Sequence, residues 1–129
     1  PLQMEAGSDV FERYAMTPNR RVAERLARTH TDHVFHCCGE ITEPMLDAFC
    51  SLRPALLSLG SSRRLWEDAA RVPKDIVLYG NLPSKQFYSD DLMPAERVAA
   101  LADELEGRMA TTGHPFILGT ECDTLHVQG

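Results

Sequence analysis

Residues 34–59, VFHCCGEITEPMLDAFCSLRPALLSL, read as strand, helix, strand. Val34–Cys38 and Ala55–Leu59 are short apolar runs set off by Gly39, Pro54 and Gly60, as buried parallel strands tend to be. Between them, Thr42 is placed to cap a helix and Pro44 falls in its first turn. Met45, Ala48, Phe49 and Leu52 then recur at helical spacing as its buried face. Two strands joined through a helix run parallel, with a right-handed crossover, so the fold class is α/β.

The same rhythm extends in both directions. Further strands are predicted at Leu2–Met4, Ile76–Tyr79 and Phe116–Gly119. A helix is predicted from Asp9 to Arg28, broken near Thr17–Pro18 with Thr17 as a cap, and with Val22, Ala23 and Leu26 on its stripe. Ser61 or Ser62 is expected to cap a helix that buries Leu65, Trp66 and Ala69. The last helix starts near Pro94, carries Val98, Leu101, Ala102, Leu105 and Met109 on one face, and ends at Thr111-Thr112-Gly113. The result is a parallel sheet of about five strands with alternating helices. Two closures fit it: a doubly wound flavodoxin-like sheet, or a little more than half of a (β/α)8 TIM barrel.

The chain has 129 residues, enough for one domain. Its net charge of −6 leaves no Lys/Arg excess to neutralise phosphates, so a nucleic-acid partner is not expected. No apolar run approaches the roughly 20 residues of a membrane span, and no basic-then-apolar leader is visible. The expectation is a cytoplasmic protein without membrane contact. In such a chain the four cysteines read as reduced thiols or metal ligands, not as a disulfide framework.

The sharpest chemical signal is His36-Cys37-Cys38-Gly39. In a strand, residues i and i+2 share a face, so His36 and Cys38 point together and Cys37 points away. Cys122 follows the last strand in the same relation to strand end and loop. Parallel strands place their C-terminal ends on one rim, where Cys122 can join the pair. A Cys2His set with an open fourth position is a catalytic zinc pattern. The plain alternative is that strand cysteines are small buried hydrophobes. Glu5 and Asn81 also follow strands, and are the substrate-binding candidates; a solvated loop charge and a turn are their alternatives.

Taken in order, Leu2–Gly7, His36-Cys37-Cys38-Gly39, Gly80-Asn81-Leu82-Pro83, Pro94-Ala95-Glu96-Arg97-Val98 and Phe116-Ile117-Leu118-Gly119 resemble the C-terminal half of the uroporphyrinogen decarboxylase superfamily. The resemblance implies a (β/α)8 barrel, with this chain as one domain over residues 1–129 holding its fourth to eighth strands. One branch of the superfamily decarboxylates a tetrapyrrole without metal and carries a Gly-His-Gly motif after the last strand. Here Thr120-Glu121-Cys122 stands in that place. The other branch comprises corrinoid-dependent methyltransferases, which hold zinc through a His-x-Cys pair and a distant Cys. His36, Cys38 and Cys122 match that set. The resemblance then implies Zn2+ as cofactor, a methylcorrinoid donor on a partner protein, and a thiol or folate acceptor. A decarboxylase-like lyase of tetrapyrrole biosynthesis, or a non-catalytic fragment that keeps the fold, are the alternatives.

Half a barrel leaves an apolar strand face and sheet edges uncovered. A homodimer or a separate N-terminal half is therefore the expected partner, with Val34, Leu57 and Val77 typical of the side chains left to cover.

Overall fold

A computed structural model describes residues 8–124. Its elements run α1 (Asp9–Phe11), a π-helical turn (Glu12–Met16), α2 (Thr17–Arg28), β1 (Val34–Cys37), α3 (Glu43–Ser51), β2 (Leu56–Leu59), α4 (Leu65–Asp68), β3 (Val77–Leu82), a 3-10 turn (Ser84–Gln86), α5 (Ala95–Thr112) and β4 (Phe116–Thr120). The predicted strand Leu2–Met4 and the candidate Glu5 lie outside the described residues.

The four strands form one parallel sheet in the order β1-β2-β3-β4. That order decides between the two closures. A doubly wound sheet reverses direction at a switch point, whereas this one advances one way throughout. Right-handed connections advancing one way put every crossover helix on the same face, as in a barrel. Phe35, Leu57, Leu59 and Leu78 accordingly pack with Leu46, Phe49, Leu65, Leu105 and Met109 in a single core.

Among the described residues, the opposite face is open. Val34 on β1 is 62% exposed and Ile117 on β4 is 48% exposed. The register aligns Val34, Leu56 and Val77 in one row, and His36, Ser58, Tyr79 and Ile117 in the next. Leu57 is not part of this face: it is fully buried beneath the helices, because alternation along β2 turns Leu56 and Ser58 to the open side.

The helices differ from the sequence reading in three places. Thr17 does not cap a new helix, because the chain stays helical through it. Pro18 has no N–H and its ring crowds the carbonyl four residues back; the π-helical turn absorbs this, with the Thr17 N–H bonding Glu12 O and the Asn19 amide donating to Ala15 O. The cap lies at Ser8, whose hydroxyl accepts from Phe11 N. Val22 is exposed, and only Ala23 and Leu26 turn inward. Neither Ser61 nor Ser62 caps α4; Arg63 N bonds back to Gly60 O, and Arg64 takes the cap position without a side-chain bond. Thr42 does cap α3, accepting from Met45 N, and α5 ends at Gly113. Among the described residues, no helix is long and apolar enough to cross a membrane.

Candidate metal centre at the strand ends

β1 and β4 are the outer strands of the described sheet, three strand spacings apart, which is about 14 Å if the sheet were flat. Yet one ligand atom each from His36, Cys38 and Cys122 lies within 4.8 Å of the other two. Two features close the gap. The sheet curls, and the segment after β4 folds back across the rim. Glu121 N donates to Leu82 O, and the Glu121 carboxylate accepts from Ser61 N at 2.9 Å, so this segment crosses the ends of β3 and β2.

Gly60 permits the approach from the other side. A Cβ there would lie 2.7 Å from Cys38 O, too close for any side chain. The end of β1 therefore settles directly against the end of β2, carrying Cys38 toward Cys122.

His36 is oriented by its neighbour in the register. Its Nδ1 and Ser58 Oγ are 2.8 Å apart, which leaves Nε2 as the nitrogen for a ligand. Burial, then the hydrogen bond and charge of Cys122, push the Cys38 thiol above its ordinary value, while Lys85 pulls the other way. A cation beside Cys38 would reverse that push and favour its thiolate. The donor set fits zinc. Tetrahedral Zn2+ with thiolate and imidazole ligands needs ligand atoms about 3.4–3.8 Å apart, a small rotamer adjustment from the separation observed.

His36, Cys38 and Cys122 also line an open cleft of about 410 Å³, together with Ser58, Tyr79, Thr120 and Asp123. A fourth coordination position would face this space. Cys37 packs with the core on the other side of β1, and Cys50 sits on α3, so neither thiol enters the cluster.

Asn81 is placed elsewhere. Its amide donates to Gly60 O and Arg63 O, both at 2.8 Å, so it anchors the loop after β2. It borders a separate cavity of about 360 Å³ with Trp66, Leu101 and Leu105. The sequence reading did not single out Ser58, Tyr79, Ser84, Lys85 or Glu121. Ser58 carried a signal, as the lone polar residue in the run Leu56–Leu59. The others are brought to the rim by tertiary structure alone.

A family model described as Uroporphyrinogen decarboxylase (URO-D) matches residues 5–127. The chain belongs to the uroporphyrinogen decarboxylase family. Searches among curated proteins and among solved structures each found no match. Membership in the URO-D family accounts for the one-way strand order and for the placement of the polar cluster at the C-terminal rim, where barrel enzymes carry their chemistry. Among the described residues of this URO-D family chain, the cleft lining holds no Lys or Arg, while Lys85 stands beside it with Nζ 3.2 Å from Cys38 O.

Proposed function

We propose that this chain carries a zinc-dependent methyl-transfer site, moving a methyl group from a methylated corrinoid on a partner protein to a thiol or folate acceptor. The observation that carries the reading is the convergence of His36, Cys38 and Cys122 at the rim, with one side open to the cleft. Bound there, zinc would supply Lewis acidity that holds an acceptor thiol as its thiolate near neutral pH. The chain's own residues do the rest. Ser58 fixes the imidazole, the end of β1 presents Cys38, and the 121–123 segment delivers Cys122. The acceptor would enter on the cleft side, against Tyr79 and Thr120.

The alternative reading, a decarboxylase-like lyase of tetrapyrrole biosynthesis, needs no metal and fits the same family match.

Metal analysis of the purified chain tests the reading. About one zinc per chain is expected, lost in Cys38→Ser and Cys122→Ser and kept in Cys37→Ser and Cys50→Ser. Zinc-free wild type, or full zinc in either of the first two variants, overturns the site. Release of carbon dioxide from uroporphyrinogen by metal-free protein would overturn the reaction.

A further inference from the structure

The turn after β3 holds two residues that touch both cysteine segments without offering a ligand. Ser84 is 1% exposed. Its hydroxyl donates to Cys122 O at 2.7 Å and accepts from Cys122 N at 3.3 Å, so it grips both backbone groups of one residue. Thr120 donates a second hydroxyl hydrogen bond to the same carbonyl. The next residue, Lys85, donates from Nζ to Cys38 O at 3.2 Å and stands 3.8 Å from the buried carboxylate of Glu121. That carboxylate in turn holds Ser61 N at the end of β2.

The consequence is mechanical. Cys38 and Cys122 follow the outer strands β1 and β4, which do not pair with each other in the described sheet. Their separation is set by whatever ties each of them to the strands between. Ser84 and Lys85 are adjacent on one short turn and make both ties. A buried serine that donates to the carbonyl and accepts from the N–H of one residue holds the peptide units on both sides of it, whereas a single bond would hold only one.

We propose that Ser84 and Lys85 form a clasp that sets the spacing of Cys38 and Cys122, acting as positioning residues for the pair. Its bearing on zinc rests on the function proposed above; its effect on thiol placement does not. The clasp predicts that loss of either tie loosens one cysteine selectively. Ser84→Ala loosens Cys122, leaving its carbonyl on Thr120 and its N–H without the serine, and Lys85→Met loosens Cys38. Lys85→Arg keeps a cationic donor and restores the tie.

Two measurements on the whole chain test it. The first is zinc affinity by competition with a chromogenic chelator, alongside the thiolate-to-metal charge-transfer band of the cobalt-substituted chain. Ser84→Ala and Lys85→Met are expected to weaken binding by about 10- to 100-fold and to change the cobalt band, with Lys85→Arg close to wild type. The second uses metal-free chain and reads iodoacetamide alkylation at each cysteine by mass spectrometry. Ser84→Ala should accelerate Cys122, and Lys85→Met should accelerate Cys38 even though losing the Lys85 charge by itself disfavours the reactive thiolate, with Cys50 unchanged as the internal reference. If wild type binds no zinc, the proposed function fails, and the alkylation pattern alone decides the clasp. Unchanged rates at both cysteines, or acceleration of all four together, would overturn it. Should Ser84→Ala fail to fold, half-exposed Lys85 still carries the test.

Discussion

The ring of Tyr79 occupies the space that a side chain on residue 119 would need: a Cβ built on Gly119 falls 2.2 Å from Tyr79 Cζ and 2.4 Å from its hydroxyl oxygen. The two residues are on neighbouring strands at the cleft, so the packing is between a glycine and an aromatic ring that lines the candidate site. Gly119→Ala must push the ring aside, at a cost of about 1–3 kcal/mol for an overpacked contact. Most of that cost should vanish when Tyr79 is first changed to Ala. A double-mutant cycle in urea unfolding checks this, and additive costs would show that the ring is not the obstacle.

Ser58 pairs with His36 across the β1–β2 register. A ligating imidazole is usually held by its second nitrogen, and losing that partner lowers metal affinity by about 10-fold or more. Ser58→Ala is expected to do so with little effect on stability. Chelator competition is the measurement, and wild-type affinity in the variant would remove Ser58 from the site.

Much of this was legible along the chain, and what was not has a physical reason. The apolar runs at Val34, Ala55, Ile76 and Phe116 begin within one residue of β1 to β4, because short buried strands are local features of composition. β3 extends three residues beyond the predicted Tyr79, to Leu82, since its last residues pair with β4 and pairing is not local. His36 and Cys38 could be placed on one face by counting in twos. The meeting with Cys122 depends on curvature, on the room at Gly60 and on the Ser84 turn, none of which has a sequence period. Val22 misled because its helical spacing matched the stripe, while α2 buries no residue fully.

The Arg63–Asp68 pair is the most enclosed ion pair among the described residues, with side chains 17% and 6% exposed. Arg63 Nε donates to Asp68 Oδ2 at 3.0 Å, and Nη1 donates to Ile41 O. The carboxylate raises the Arg63 pKa further, so the guanidinium stays charged at every working pH. Asp68→Ala leaves a largely buried guanidinium without its counter-charge and should cost about 2–4 kcal/mol. A urea midpoint equal to that of wild type would show that solvent replaces the carboxylate freely.

Cys50 gives a pH signature separate from the metal centre. Its thiol is pushed up to about 11, first by burial and then by the charges of Asp47 and Asp68. In the unfolded chain it titrates near its ordinary value of about 9. Between those limits the unfolded state loses the proton first, so stability falls as pH rises through the window and is intact below it. Cys50→Ala should flatten this part of the profile. Identical slopes of unfolding free energy against pH in the two proteins would remove Cys50 as the cause.

The open sheet face bears on assembly. Val34, Leu56, Val77, Tyr79 and Ile117 line one side of β1 to β4, while the helices cover only the other. A parallel sheet is stable in water when both faces are covered, and apolar patches beyond a few hundred Å² are uncommon on soluble monomers. The 129-residue chain on its own is therefore proposed to self-associate through this face, most simply as a two-fold dimer. Light scattering at micromolar concentration should return a mass well above the 14.4 kDa of one chain. Val34→Lys combined with Ile117→Lys places charge at the two most exposed points of the face and should shift the mass toward the monomer. Neither residue belongs to the metal cluster, so zinc content should be unchanged in the same variant. A stable wild-type monomer, or an oligomer indifferent to both charges, would place the contact elsewhere.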